Sequence, residues 1–267
     1  MKITTLAQAI QLNPEALQCA MRYPFTKEQK LQAKKLCHKE ETFVSFCKSQ
    51  QSFRQFSLRL FLELAADCEK EYQTRGIAPK IYIDTFRDIA LWCDNCKREF
   101  QEWGIDEISW LRFHICLEVF RLGRLAFQKI ALQEDIPSQQ LRKGDPVIEV
   151  HVAQGEPLRY EDCILSFKQA LLFYDLQEAV FWGESWLLHP DLKLLATPHS
   201  NLVRFQDFFT IYDVDETSRQ GEMRVFGFVS DDVESYPENT SLQRSLKHYL
   251  KLHGNFGMGK GIYRCHR

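Results

Sequence analysis

Pro146-Val147-Ile148-Glu149-Val150-His151-Val152-Ala153 is the stretch on which the fold of this chain turns. Five of its eight residues are Val, Ile or Ala, and its β-branched residues fit a pleated surface better than a helix. Side chains alternate along a strand, so Val147, Glu149, His151 and Ala153 share one face while Ile148, Val150 and Val152 share the other. A carboxylate and an imidazole two residues apart on one face can act together as a base, the Glu orienting or charging the His. The same pair also suits a solvated sheet face, and both readings stand at this point.

Working outward, a turn at Gly155-Glu156-Pro157 leads into an amphipathic helix over Asp162–Tyr174. An apolar, aromatic strand over Ala179–Leu188 follows. Glu184 interrupts it, and a carboxylate in such a run is either paired, raised in pKa, or at a strand edge. His189-Pro190 ends that strand. A helix capped by Ser200 or Asn201 carries Leu202, Phe205, Phe208 and Phe209. Ile211–Val214 and Met223–Val229 read as strands joined by a polar turn at Thr217–Gly221. A helix over Ser241–His253 precedes a Gly-rich end. On the N-terminal side, Phe120–Ala131 reads as another strand.

Before residue 118 the period is helical. Leu58, Phe61, Leu62, Ala65 and Cys68 form one apolar face. Tyr82, Phe86, Ile89, Ala90, Cys93 and Phe100 form a second, with Asp84 or Thr85 as N-cap and Gly104 as stop. Asn13-Pro14-Glu15 places Pro in the first turn of a third helix. Helices first, then mixed strands and helices, give an α+β protein with a helical domain over 1–118 and an α/β domain over 119–267.

Composition narrows the function. The chain has 267 residues with 34 basic and 36 acidic side chains, which removes the electrostatic reason to expect nucleic acid as a partner. The 20 Phe against 4 Met predict an aromatic, stiff core. No apolar run approaches a membrane span, and Met1-Lys-Ile-Thr-Thr-Leu-Ala-Gln8 lacks the apolar stretch of a signal peptide. The nine scattered Cys then read as reduced thiols, and the expectation is a cytoplasmic protein with no membrane partner.

Several common motifs fail. Cys93-Asp-Asn-Cys96 has metal spacing but no second ligand pair, and Cys93 falls on the buried helix face, so no metal is expected there. Gly254-Asn-Phe-Gly-Met-Gly259-Lys260 follows a helix and has Gly261 where a phosphate loop needs Ser or Thr. Residues 244–267 hold six basic side chains and no acid, so this end is either an anion-receiving segment or a glycine stop with a solvated tail. There is no Gly-x-Ser-x-Gly, His-Glu-x-x-His or Rossmann glycine pattern.

Read in order, Ile81-Tyr-Ile-Asp-Thr-Phe-Arg-Asp-Ile89, Trp110-Leu-Arg-Phe-His114, Phe120-Arg-Leu-Gly-Arg-Leu-Ala-Phe127, Gly144-Asp-Pro-Val-Ile-Glu-Val-His-Val152, Ser185-Trp-Leu-Leu-His-Pro190 and Ser200-Asn201 form a specific series. It resembles bacterial acyltransferase-domain-containing proteins, which join a helical N-terminal domain to a GNAT-like (N-acetyltransferase superfamily) C-terminal domain. The resemblance spans about residues 80–265. It implies a mixed sheet splayed between two central strands, with acetyl-CoA or another acyl-CoA as co-substrate and a small-molecule or peptide amine as acceptor.

Pro146–Ala153 would be the strand that meets the thioester, through the backbone of Val150 and Val152. Gln154–Tyr160 would be the phosphate loop, with Gln154, Gly155 and Arg159 in it. Glu149 or His151 would deprotonate the amine, Glu184 or Ser185 would lie across the cleft, and Trp186 would line the acceptor side. Trp110 and His114, near the junction with the sheet domain, would contact substrate or pack. The loop carries one Gly and an acid where the superfamily has a glycine-rich pattern, and the usual acid Tyr has no match; His199 and Ser200 stand in its neighbourhood and Tyr212 comes late. Two readings follow from this: an acyl-CoA-dependent N-acyltransferase, or a non-catalytic binding or scaffolding protein with a degenerate CoA cleft.

Overall fold

The computed structural model describes residues 1–267, which divide into two compact units, Met1–Leu122 and Gly123–Arg267. The first is built from α1 (Ile3–Ala9), α2 (Pro14–Arg22), α3 (Lys27–Leu36), α4 (Glu40–Lys48), α5 (Phe53–Thr74), α6 (Pro79–Phe100) and α7 (Ile108–Ile115), and ends in strand β1 (Val119–Leu122). Asn13 accepts the backbone N–H of Glu15 at 2.8 Å, with Pro14 at the first helical position of α2. The start of α6 differs from expectation. Pro79 opens the helix behind Ala78, five residues before Asp84, because a proline at the first position loses no helical hydrogen bond. Its end also comes earlier than Gly104, at Gln101 in a left-handed conformation (φ 60°).

Long α5 and α6 bury their apolar stripes against each other. Tyr72 meets Tyr82 and Phe86 at ring-centroid distances of 5.2 and 6.0 Å, and Phe56, Phe61 and Phe86 are wholly buried.

The second unit contains β2 (Leu125–Ala131), β3 (Pro146–Val152), α8 (Tyr160–Phe173), β4 (Glu178–Ser185), α9 (Leu192–Leu195), α10 (Asn201–Gln206), β5 (Thr210–Asp215), α11 (Gln220–Phe226), α12 (Ser241–His253) and β6 (Met258–His266). Its strand order is β2-β3-β4-β6-β5. The β3–β4 pair is parallel and its neighbours β2–β3, β4–β6 and β5–β6 are antiparallel, so the sheet is mixed.

One sheet face is aromatic: Phe127 and Phe181 pack on Phe167 of α8, and Tyr263 closes the group at 4.7 Å from Phe167. The other face carries a smaller cluster of Val147, Ile262, Leu132, Ile136 and Leu141, flanked by Trp182 and Tyr212.

Four expectations need correcting. Phe120–Ala131 is not continuous; Gly123 breaks it at φ +77°, a conformation glycine adopts without a Cβ penalty. The strand expected over Ala179–Leu188 stops at Ser185, and Trp186–Leu188 is a 3₁₀ turn in which Ser185 accepts the Leu187 N–H. Met223–Val229 is not extended: Met223–Phe226 is the end of α11 and Gly227–Val229 is irregular. Arg219 forks onto Glu222 one turn away, and Phe226 stacks on Tyr236 at 4.0 Å, so tertiary partners override the local β-preference.

Finally, the C-terminal segment is no solvated tail. Only Gly254 stops α12, and residues 258–266 form β6, inserted between β4 and β5. A Cβ on Gly259 would lie 2.0 Å from the Leu188 carbonyl oxygen, and one on Gly257 2.2 Å from that of Asp215. Glycine here admits a neighbouring backbone rather than flexibility.

Candidate active site

The ladder between β3 and β4 holds at two positions, Ile148 with Phe181 and Glu149 with Trp182. Three further residues of each strand, Val150–Val152 and Gly183–Ser185, lie beyond the last rung. By contrast, β2 pairs with β3 along all seven residues of β3. A parallel pair that separates after two rungs opens a wedge at the strands' C-terminal ends, and main-chain amides beside it can meet a ligand's carbonyl.

Glu149 sits at the closed end of that wedge. Paired residues share a face, so Gln128 of β2, Glu149, and Trp182 of β4 stand on one side of the sheet, with His151 and Glu184 two residues further along their strands. His151 Nε2 lies 3.8 Å from Glu149 Oε2, and the two side chains are 23% and 25% exposed. Burial, reinforced by the charge of Glu184, pushes the Glu149 carboxyl up to about 7. Such a group exchanges a proton near neutrality, as a general base must.

Around it the face is polar but mostly satisfied. Trp182 Nε1–H donates to the Tyr212 hydroxyl at 2.9 Å, and burial raises the Tyr212 phenol, which keeps its proton. Lys260 stands opposite Glu184 across the β4–β6 ladder and pairs with Glu134 at 3.0 Å and Asp213 at 3.2 Å.

Val150 and Val152 point to the face opposite Glu149. Their chain then runs into the loop of Gln154, Gly155 (φ +103°), Glu156 and Pro157. Arg124 holds this loop, donating from Nε to the Pro157 carbonyl at 3.0 Å and from Nη2 to that of Glu156 at 2.6 Å. Arg159 is the N-cap residue of α8 and supplies no side-chain cap, which leaves the first helical N–H groups to other acceptors. Arg204 of α10 also comes to this helix start, 4.3 Å over the Tyr160 ring and 3.0 Å from Glu161. Two guanidinium groups, Arg159 and Arg204, stand with the acids Glu161 and Asp162 at this helix N-terminus, whose first N–H groups can donate to a phosphate.

Glu149, His151 and Glu184 are therefore brought together, and Gln154, Gly155 and Arg159 occupy one loop and helix start. Ser185 and Trp186 are engaged elsewhere: the Ser185 hydroxyl points to Gln220 Oε1 at 3.4 Å, and the Trp186 backbone N–H donates to the same atom at 3.0 Å. His114 lies in the helical unit, 2% exposed, with one ring nitrogen 3.1 Å from Asp88 Oδ2 and the other 3.2 Å from the Trp110 carbonyl. Trp110 donates to the same Asp88 oxygen at 2.9 Å, so this group is a closed hydrogen-bonded core. Sequence reading missed Arg124, Arg204 and Gln128. Arg124 follows the Gly123 turn, a local cue; Arg204 and Gln128 acquire their neighbours only through packing.

Comparison with known proteins gives two family matches. Residues 119–263 match the GNAT-like C-terminal domain, and residues 1–117 match the N-acyltransferase N-terminal domain. No curated protein matches. Among solved structures, an acyltransferase in complex with decanoyl-CoA and teicoplanin is 19% identical, with a TM-score of 0.79 over 98% of this chain and 87% of that one. An acyltransferase in complex with CoA and 10C-teicoplanin is 18% identical, with the same TM-score over 97% and 86%. A mutant acyltransferase in complex with octanoyl-CoA gives the same figures. At these identities the likeness is one of fold.

Proposed function

Because this chain belongs to the GNAT-like C-terminal domain family, with an N-acyltransferase N-terminal domain before it, we propose that it transfers an acyl group from acyl-CoA to an amine. The observation that carries this is Glu149, pushed up to about 7 beside the last rung of a ladder that ends after two pairs. Related structures holding decanoyl- and octanoyl-CoA support an acyl-CoA donor, and those holding teicoplanin support an amine-bearing acceptor of some size. Acetyl-CoA remains one member of the donor class to be tested.

The residues divide the work as follows. The amides of β3 beyond Glu149 orient the thioester carbonyl and stabilise charge on its oxygen. The backbone N–H groups of Gln154–Glu156 and of the first turn of α8, with Arg159 and Arg204, receive the phosphates, and Arg124 keeps that loop in place. Glu149 Oε2 takes the proton from the acceptor ammonium or amine, with His151 beside it. The amine nitrogen then bonds to the acyl carbon, the carbon–sulfur bond breaks, and the sulfur leaves as thiolate to be protonated. Burial, and after it like-charge repulsion from Glu184, keeps Glu149 basic. Donor activation rests on position and electrostatics, with no covalent enzyme intermediate.

The test uses the full chain with free CoA, acetyl-CoA, octanoyl-CoA and decanoyl-CoA in a thermal-shift titration. A ligand at 100 times its dissociation constant adds about 2.7 kcal/mol, which raises Tm by several degrees. With a panel of amines, thiol release and the mass of the acylated product are then followed. Saturable shifts and amine-dependent thiol release are expected. A cooperatively melting protein that is unmoved by millimolar CoA compounds would instead fit a binding or scaffolding descendant of the fold.

A further inference from the structure

The acyl-transfer reading leaves unused a place in the helical unit where three ligand-bearing side chains converge. Cys37 follows α3, His38 is next to it, and Cys116 follows α7; both thiol sulfurs and an imidazole nitrogen lie within 4.8 Å of one another. Residues 37–39 form the corner between α3 and α4, and the C-terminal turn of α7 is fastened to it. Arg112 Nη1 donates to the Cys37 carbonyl at 3.0 Å, and the Cys116 thiol donates to that same carbonyl at 3.3 Å. The Cys37 thiol donates to the Lys34 carbonyl at 3.3 Å. Each thiol proton is therefore parked on a backbone oxygen, and the backbone around the sulfurs is fixed from both sides.

The spacing suits a metal ion. Bond lengths of about 2.3 Å to sulfur and 2.0–2.1 Å to nitrogen, in tetrahedral geometry, separate ligand atoms by roughly 3.3–3.8 Å. Two thiolates and one imidazole favour a borderline-soft ion over magnesium or calcium. Burial is graded: Cys37 is buried, Cys116 half-buried and His38 exposed, so the open side is toward solvent. The charges nearby include Arg112 and Glu40, 3.5 Å apart, and Glu118 near Cys116. Two thiolates neutralise a dication.

We propose that Cys37, His38 and Cys116 bind one zinc-class divalent ion per chain, with the fourth position taken by water. Binding breaks two S–H bonds and forms two metal–sulfur bonds, and both protons leave to solvent. The ion would tie the α3–α4 corner to the end of α7. All three residues belong to the helical unit, and the proposal does not depend on the acyl-transfer reading.

Metal-free full-length protein, kept reduced with a phosphine, is titrated with cobalt(II) and then zinc(II). A thiolate-to-cobalt charge-transfer band and a tetrahedral ligand-field spectrum are expected, saturating at one ion per chain and abolished by zinc. Cys37→Ser and Cys116→Ser should each lose the charge-transfer intensity. His38→Ala, at an exposed position, should keep the fold and weaken binding by about tenfold or more. Absence of the band in folded, reduced protein overturns the proposal, as does an unchanged titration in both His38→Ala and Cys116→Ser. Formation of a Cys37–Cys116 disulfide in air, by a protein that takes up no cobalt when reduced, would make the pair a redox element and also overturn it.

Discussion

Each unit of this chain holds a carboxylate beside an imidazole, and the two pairs behave oppositely. Asp88 and His114 meet at 3.1 Å, 6% and 2% exposed, with Trp110 donating to the same carboxylate oxygen at 2.9 Å. Burial pushes Asp88 up, but the hydrogen bonds from His114 and Trp110 outweigh it and hold the carboxyl below its ordinary range. Glu149 and His151 stand 3.8 Å apart, beyond hydrogen-bond distance, and burial with a second carboxylate nearby pushes Glu149 up to about 7. The residue types are the same class. What differs is how completely the charge is met: a met charge makes structure, and an unmet one remains available for proton transfer.

The largest test of this contrast is kinetic. Glu149→Gln should lower kcat/KM for acyl transfer by about 10²–10⁴-fold while leaving the protein folded, since Gln is nearly isosteric. Steady-state thiol release beside a thermal melt checks both halves, and full activity in Glu149→Gln would remove Glu149 from the mechanism.

The matching change in the other unit should act on stability instead. Asp88→Asn should cost about 3 kcal/mol at pH 7 by denaturant unfolding, because it leaves the buried His114 and Trp110 donors poorly paired. Asp88 is depressed in the fold, so its contribution is complete above its ordinary value of 3.8 and is lost as pH falls below that. The gap between wild type and Asp88→Asn should therefore narrow toward pH 3.

A smaller effect has the reverse sign. Glu149 is raised above its ordinary 4.5, so the fold prefers its protonated form; that contribution is complete below about pH 4.5 and is lost as pH climbs through about 7. Glu149→Gln should match wild type at pH 4.5 and exceed it by on the order of 2 kcal/mol at pH 8. Melting curves at the two pH values decide this. Least of all, Glu184→Gln should move the acid limb of the pH–rate profile down by roughly half a unit, since it removes the secondary cause of the Glu149 shift. An unmoved limb would leave burial as the whole cause.

Much of this was legible along the chain. The strand at Pro146–Val152 announces itself by its β-branched residues, and the Glu149–His151 face follows from alternation alone. Pro14 in the first turn of α2, the apolar stripes of α5 and α6, and the aromatic core foreshadowed by 20 Phe are local or compositional signals too. They survive folding because a helix or strand period is set within a few residues.

Other features were illegible for a physical reason. Gly257, Gly259 and Gly261 depress strand propensity, so β6 is invisible until Leu188 and Asp215 press against it. Met223–Phe226 spells a strand and becomes a helix through Arg219 and Tyr236. Cys37 and Cys116 are 79 residues apart, and nothing local links them.

Sequence alone determined which strand carries the paired acid and imidazole, and that the first part of the chain is helical. Tertiary structure decided which carboxylate is satisfied and which is left short of partners, where the β3–β4 ladder stops, and which arginines reach the start of α8. Periodicity is a property of neighbours in sequence, whereas desolvation and charge pairing depend on neighbours in space.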